Sequence, residues 1–366
     1  MHMKKATLIL ALMLTSNLIL AQEEGTKTPP ATTFAGSADA YYKYDFANDF
    51  SNNKTSFTNS SNSFELGMAS IEASHKFGKA SVFVDLGFGK RAADFSYNDT
   101  SPDDNATFLI KQLNFTYEFS DKFKIIAGSF ATHVGYELVD AVDNKNYSMS
   151  YAFTYGPFFN TGVKAIYTTG KVNFMFGVVN PTDFKTAIEA SSNQKSFIGQ
   201  IGYIEDIGSA FLNFTSGSMN NNVGSPLVSG LNQINKTQFD FVASKKIGDA
   251  FNLGLNATYA IVNSDVDSSL DGNWFSVVGY AGYKFNDATN INYRLEFFDD
   301  KDGVAAFGSF GGANVFSNTM SLNYKVGNLT FIPEVRFDFA SEKIYPTENN
   351  ASKTNGSILF ATTYSF

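Results

Sequence analysis

Apolar and polar residues alternate one for one along most of this chain. Phe34, Gly36, Ala38, Ala40, Tyr42, Tyr44 and Phe46 occupy one parity; Ser37, Asp39, Tyr41, Lys43 and Asp45 occupy the other. Val82, Val84, Leu86 and Phe88 likewise oppose Ser81, Asp85, Gly87 and Gly89, and Ile291, Tyr293, Leu295 and Phe297 oppose Asn292, Arg294 and Glu296. Side chains of a strand point alternately to its two faces, so period two held over eight or more residues predicts a strand with one apolar and one wet face. Sixteen such segments are expected, near 34–46, 63–76, 79–91, 107–119, 122–133, 157–168, 171–180, 196–205, 208–217, 235–246, 249–263, 272–285, 288–299, 314–326, 328–340 and 355–366. The phase slips near Ser70, as a β-bulge would make it.

The connections alternate as well. Short turns fall at 77–78, 120–121, 169–170, 206–207, 247–248, 286–287 and 327. Long polar loops fall near 47–62, 92–106, 134–156, 181–195, 218–234, 264–271, 300–313 and 341–354. No segment has the run of about 18 apolar residues that a spanning helix needs. In a bilayer every backbone polar group must be paired within the protein, which strands achieve only in a closed sheet. The expected fold is therefore all-β, a transmembrane antiparallel β-barrel of about 16 strands with short periplasmic turns and long extracellular loops. A barrel of that size has room for a lumen.

Charge placement agrees with this reading. Asp39, Lys43, Asp85, Lys164, Asp240, Arg294, Glu296, Glu334, Arg336 and Asp338 all fall on the wet parity and are the candidate pore-lining residues. A lysine or arginine on the lipid face at mid-membrane would cost about 2–4 kcal/mol. Glu72, Lys111, Lys245 and Lys284 break the rule near predicted strand ends, where side chains can reach water. The wet parity also carries Phe83, Ile126, Phe130, Ile166, Met175, Phe211, Val277 and Ile332, which would make part of the lumen apolar. The 134–156 loop combines Glu137, Asp140, Asp143 and Lys145 with Tyr147, Tyr151 and Tyr155. Folded inward it would be a constriction of mixed charge; folded outward it would be a solvated surface loop. Both stay open at this point.

Composition narrows the field. There are 38 Phe and 18 Tyr against one Trp, yet the mean hydropathy is only −0.13, so aromatic and polar residues are interleaved. The absence of cysteine excludes disulfides and thiolate chemistry, and His2, His75 and His133 are too scattered for a histidine metal site, so no cofactor is expected. Lys4 and Lys5, the apolar stretch 6–20 and Ala21 before Gln22 predict a cleaved signal peptide over 1–21. A flexible periplasmic lead-in over 22–33 and the barrel over 34–366 complete the expected organisation. Without residues 1–21 the chain keeps 25 basic and 35 acidic residues, a net of −10, which argues against nucleic-acid binding.

Motifs for chemistry are weak. Gly87–Ala92 matches G-x-G-x-x-G/A, but no helix pattern follows it as a dinucleotide site requires. Asp265, Asp267 and Asp271, and Asp299, Asp300 and Asp302, are acidic clusters read as a negative rim; a calcium loop would need glycine where Leu270 stands. His133 with Glu137 is the one acid–base pair expected near the outer rim, and no nucleophile accompanies it, so an enzyme is not expected. The last strand ends with Ile358, Phe360, Tyr364 and Phe366 on one parity. This is similar to the C-terminal signal that bacterial barrels present to their assembly machinery.

The stretches 34–46, 62–92, 133–165 and 176–184 resemble Bacteroidota members of the β-barrel porin family described as OmpL-like. The resemblance implies a porin-type barrel in a Gram-negative outer membrane and carries no residue roles. The expected function is passive diffusion of small hydrophilic solutes, with a weak cation preference from the acidic outer rim and net charge. The expected partners are outer-membrane lipid, the assembly machinery through Phe366, small solutes and, by analogy with other 16-stranded porins, two further copies in a homotrimer. The alternatives are a selective transporter for an apolar or aromatic solute, and a non-conducting barrel acting as adhesin or scaffold.

Overall fold

The computed structural model describes residues 30–99, 107–185, 194–218, 234–264, 267–348 and 350–366. The strands are β1 (Ala31–Asp45), β2 (Ser63–Phe77), β3 (Ala80–Phe88), β4 (Ile110–Ser120), β5 (Phe123–Ala131), β6 (Phe159–Thr169), β7 (Val172–Val179), β8 (Ser196–Glu205), β9 (Gly208–Ser218), β10 (Ile234–Ile247), β11 (Phe251–Ser264), β12 (Gly272–Lys284), β13 (Thr289–Asp300), β14 (Ala313–Val326), β15 (Leu329–Ala340), β16 (Tyr345–Thr347), β17 (Asn350–Ser352) and β18 (Thr354–Ser365). Sixteen of them form one closed antiparallel barrel, while β16 and β17 make a separate hairpin within a loop. Every barrel strand lies within three residues of its expected segment. β1 starts at Ala31, inside the expected lead-in, because Ala31–Thr33 pair with Lys76, His75 and Ser74 of β2. The expected signal peptide lies outside the described residues.

Burial is inverted relative to a water-soluble core. Phe64 and Leu66 are 86% and 77% exposed, while Arg294 and Glu296 are 1% and 0% exposed. That is the pattern of a sheet solvated by lipid outside and holding its polar groups within. Short turns gather at one end of the barrel, at Gly78, Gly170, Gly248 and Gly327, each with φ near +60°. A Cβ at any of the four would touch nothing, so it is the left-handed backbone, not space, that favours glycine there. The barrel closes where β1 meets β18, from Ser37 opposite Ser365 to Asp45 opposite Ser357. Gly36 and Phe366 exchange backbone hydrogen bonds of 3.0 and 3.2 Å beyond that register. The Phe366 ring lies so close over Gly36 that a Cβ there would sit 2.5 Å from it.

Two bulges correct the charge assignment. Ala38 pairs with Ala69 but Ala40 with Leu66, so β2 carries an extra residue at Gly67–Met68. Phe64 and Leu66 therefore face lipid, while Ser70 and Glu72 face inward, Glu72 opposite Asp85. On β4, Gln112 pairs with Asp85 but Ile110 with Leu86. Lys111 is the extra residue; its side chain turns inward and is fully buried. Lys284 pairs with Asn290 on the face that carries Arg294. Of the four expected exceptions, only Lys245 points outward, next to a short turn. Val277 is corrected in the other direction: it is 45% exposed on the lipid face. A six-residue helix, Lys90–Phe95, also follows Gly89 where none was expected, burying Ala92 and Phe95. Gly89 has φ 113° and a Cβ there would meet the Gly67 carbonyl at 2.6 Å, so this glycine serves close backbone packing.

The lumen as candidate functional site

The loop between β5 and β6 folds into the barrel. It leaves and re-enters the wall at the long-loop end, where Thr132 N–H donates to the Phe158 carbonyl at 3.1 Å. Its descending limb is held by Gly135 N–H on Asp240 at 3.0 Å and by Tyr136 stacked on Tyr280 at 4.2 Å. Lys145 marks its lowest point. The Lys145 carbonyl accepts from the Asn292 and Asn323 amides at 3.4 and 3.2 Å, and its ammonium donates to Asn252. All three asparagines lie within four residues of short-turn strand ends, so the loop crosses nearly the full height of the lumen.

The ascending limb is fixed by one device used three times. Glu334 accepts from the N–H groups of Tyr147 and Ser148 at 2.7 and 3.1 Å. Glu296 accepts from those of Tyr151 and Ala152 at 2.9 and 2.8 Å. Asp183 accepts from those of Phe158 and Phe159 at 2.7 and 3.0 Å. A loop drawn into a barrel carries backbone donors that no strand ladder satisfies, and a buried orphan donor is costly. A carboxylate taking two successive N–H groups removes that cost with charge-assisted bonds. Ser150 then caps the one-turn helix Tyr151–Tyr155 through Phe153 N–H. Glu137 accepts from Ser150 N–H at 2.8 Å and pairs with Arg294 at 2.6 Å.

All ten candidate pore-lining residues face inward, but their surroundings correct the role expected of them. Asp85, Asp240, Arg294, Glu296, Glu334, Arg336, Asp338 and Lys43 are buried; Asp39 and Lys164 are partly exposed. Most of them anchor loops instead of facing open water, whereas Lys164 rests on its own barrel wall. Arg336 pairs with Asp338 at 2.9 Å and donates to the Met149 carbonyl at 2.8 Å. Asp85 and Asp140 share Lys111, at 3.0 and 2.6 Å. Asp39 accepts from the Tyr147 hydroxyl at 2.6 Å, and Lys43 donates to the Thr58 carbonyl at 2.8 Å. Lys164 lies over the Phe130 ring at 3.9 Å. Of the loop candidates, Glu137 and Asp140 are buried and partnered, whereas Asp143 and Lys145 border open space.

That space is a cavity of about 590 Å³ between the descending limb and the inner wall of β8–β10, lined by Tyr136, Lys145, Gln200, Phe211, Asn213 and Tyr280 among others. Gln200, Asn213 and Asp240 form a hydrogen-bonded row along it, each step 2.8 Å. A larger hollow of about 740 Å³ is lined largely by the outward-facing Phe174, Ile201, Leu212, Phe239 and Tyr259 and belongs to the lipid surface. On the inner wall of β5–β8, Phe130, Met175, Val179 and Ile198 form an apolar cluster joined by Ile126 and Ile166.

His133 and Glu137 do not act on each other. His133 bonds the Phe214 carbonyl at 3.0 Å, and burial lowers its pKa to about 4. The acidic clusters are turn anchors: Asp300 accepts from four successive N–H groups, Val304 to Phe307, Asp302 from Asn273, Asp271 from Ser264 and Asp267 from Ser269. Asp265 lies outside the described residues. Sequence reasoning missed Arg91, which is buried against the Phe57 and Tyr147 rings at 5.1 and 4.8 Å, and Asp183, which sits in a loop without periodicity.

Residues 31–366 match the family model described as "Putative beta-barrel porin-2, OmpL-like". No curated protein matches the chain. Solved structures with the same fold include a loop L8 deletion mutant of OmpT from Vibrio cholerae, at 13% identity, TM-score 0.61, covering 93% of this chain and 100% of that one. An anion-selective porin from Comamonas acidovorans is 13% identical with TM-score 0.61, covering 92% and 100%. The outer membrane channel DcaP of Acinetobacter baumannii is 11% identical with TM-score 0.60, covering 94% and 100%.

Proposed function

The chain belongs to the OmpL-like β-barrel porin-2 family and is an outer-membrane β-barrel of porin type, and from that premise we propose that it passes small hydrophilic solutes by passive diffusion. The observation that carries this reading is the cavity of about 590 Å³ left beside the inserted loop, with amides and a lysine on its walls. The loop narrows the lumen without filling it, which suits a size-limited path. The short turns then face the periplasm and the long loops the exterior. Phe366, 65% exposed, is the surface offered to the assembly machinery, and the barrel works as a homotrimer. Asp49, Asp267, Glu342 and Glu348 are carboxylates of the long loops, and they support a modest accumulation of cations at the outer mouth.

Single-channel recording of the folded barrel in a planar bilayer tests the proposal. Ohmic steps that scale with salt, and a reversal potential of cationic sign in a salt gradient, are expected. A silent folded barrel would turn the reading to a scaffold or adhesin. The apolar cluster of Phe130, Met175, Val179 and Ile198 favours a second reading, selective passage of an apolar or aromatic solute. Saturable current block by a small aromatic alcohol, lost in Met175→Asp, would support it.

A further inference from the structure

Lys145 is held in place by its backbone. Two amides, Asn292 and Asn323, grip its carbonyl, so the residue stays at the foot of the loop. Its ammonium reaches Asn252. Asn252 lies directly opposite Lys246 in the β10–β11 register, and opposed residues of an antiparallel pair share a face. Lys246 therefore faces the lumen beside Asn252, at the short-turn end of the cavity that Lys145 lines. Ser244, two residues before Lys246 on the same face, and Ser209 line that end, their hydroxyls 2.9 Å apart.

Neither lysine has a carboxylate partner. Among the described residues no carboxylate forms an ion pair with Lys145 or Lys246, whereas near the same end Lys76 pairs with Glu118 at 2.9 Å and Lys284 with Asp287 at 2.6 Å; Lys124 and Lys325, on the inner face, are without an ion pair as well but do not line this cavity. Burial, and then the like charge of Lys246, lower the pKa of Lys145. Two cations brought together repel, more strongly where water is partly excluded.

We propose that Lys145 and Lys246 form a binding site for the oxyanion group, carboxylate or phosphate, of a small solute in the lumen cavity. The ammonium groups supply charge and the Ser209 and Ser244 hydroxyls and neighbouring amides supply donors. The cavity volume admits the rest of a small organic acid or phosphate ester. Its meaning as a transit site rests on the channel reading; the binding itself does not. A weak accumulation of cations at the outer mouth and a saturable anion site at the other end act on different stretches of the path.

The test is titration of the detergent-folded barrel at low ionic strength with inorganic phosphate and, separately, succinate. Binding is followed by calorimetry and, for phosphate, by phosphorus-31 line broadening. Saturable binding by the wild type is expected, at least tenfold weaker in Lys246→Gln, a strand residue that does not touch the loop backbone. Lys245→Gln removes the same charge one residue away on the outward face and should bind like the wild type. Heat-modifiable migration confirms that each variant is folded. Binding of only one of the two ions assigns the site to that oxyanion. Absence of saturable binding in the wild type, or equal weakening in Lys245→Gln and Lys246→Gln, overturns the proposal. Intact, Lys246-dependent binding in a barrel that is silent in bilayers supports the site and counts against the channel reading alone.

Discussion

Glu296 and Glu334 show what one side chain does in this lumen. Each offers two carboxylate oxygens to two successive loop donors and a third bond to a wall hydroxyl, Ser276 and Ser321 respectively, at 2.8 and 2.7 Å. Glu296→Ala would leave Tyr151 and Ala152 N–H unpaired, at about 1–3 kcal/mol for each buried orphan. The expected outcome is a loosened ascending limb, read as larger and noisier single-channel steps and faster protease cleavage within 146–155. Glu296→Gln keeps one acceptor and should fall between. Unchanged conductance and cleavage in both variants would show that the loop is held by its aromatic contacts instead. At the closure seam, Gly36→Val would put a side chain where the Phe366 ring lies. The folded, heat-modifiable fraction should drop several-fold, and a Gly36→Val yield equal to wild type would show that the seam tolerates displacement of that ring.

At the scale of the element, the inserted loop couples to pH through Asp183. Burial raises this carboxyl from 3.8 to about 6, whereas with the loop released it would titrate in the ordinary range. At this carboxyl the closed form binds more protons than the released form between about pH 4 and 6, so Asp183 favours closure as pH falls through about 6. His133, in the inserted loop itself and with its pKa lowered by burial to about 4, works the other way, because the released loop protonates it more readily. In His133→Gln fewer loop-opening transitions are expected in current records at pH 5 than at pH 8, and adding Asp183→Asn should flatten the difference. The opposite trend in His133→Gln would assign loop control to another group. The strands themselves were legible in the sequence because lipid and lumen impose opposite demands on alternate residues, and that signal is local. The bulge at Gly67–Met68 is the phase slip read near Ser70, but that it turns Glu72 inward, and that a second bulge at Lys111 turns that lysine inward, strict alternation does not register. The direction of the 134–156 loop was not legible, because its anchors are distant in the chain. Glu334 lies 187 residues from Tyr147, and nothing in the loop's own pattern points to that partner. Asp183 was hidden because its loop carries no periodicity, and Arg91 because its ring partners, Phe57 and Tyr147, lie in other loops.

For the whole molecule, the lumen is divided. The ascending limb is fused to β13–β15 and β1 by buried hydrogen bonds to wall carboxylates and by aromatic rings, while the descending limb borders free volume along β8–β10. Removing residues 136–155 should therefore raise conductance several-fold while the heat-modifiable barrel persists, because the sixteen-strand ladder closes without the loop. A deletion that folds yet conducts no more than the wild type would place the resistance elsewhere, in the long loops at the mouth.

The loop's anchoring also bears on the order of assembly. It emerges after the fifth strand, yet its partners Glu296, Glu334 and Arg336 belong to the thirteenth and fifteenth. During synthesis and insertion the loop must wait, its backbone donors facing water, until the C-terminal third of the chain arrives and the wall curls round it. The contacts that narrow the lumen are thus among the last native contacts to form, and their rewards come only after a long span of chain has been ordered. A freshly inserted barrel would pass through a wide-bore stage before its own loop matures it into a narrow one.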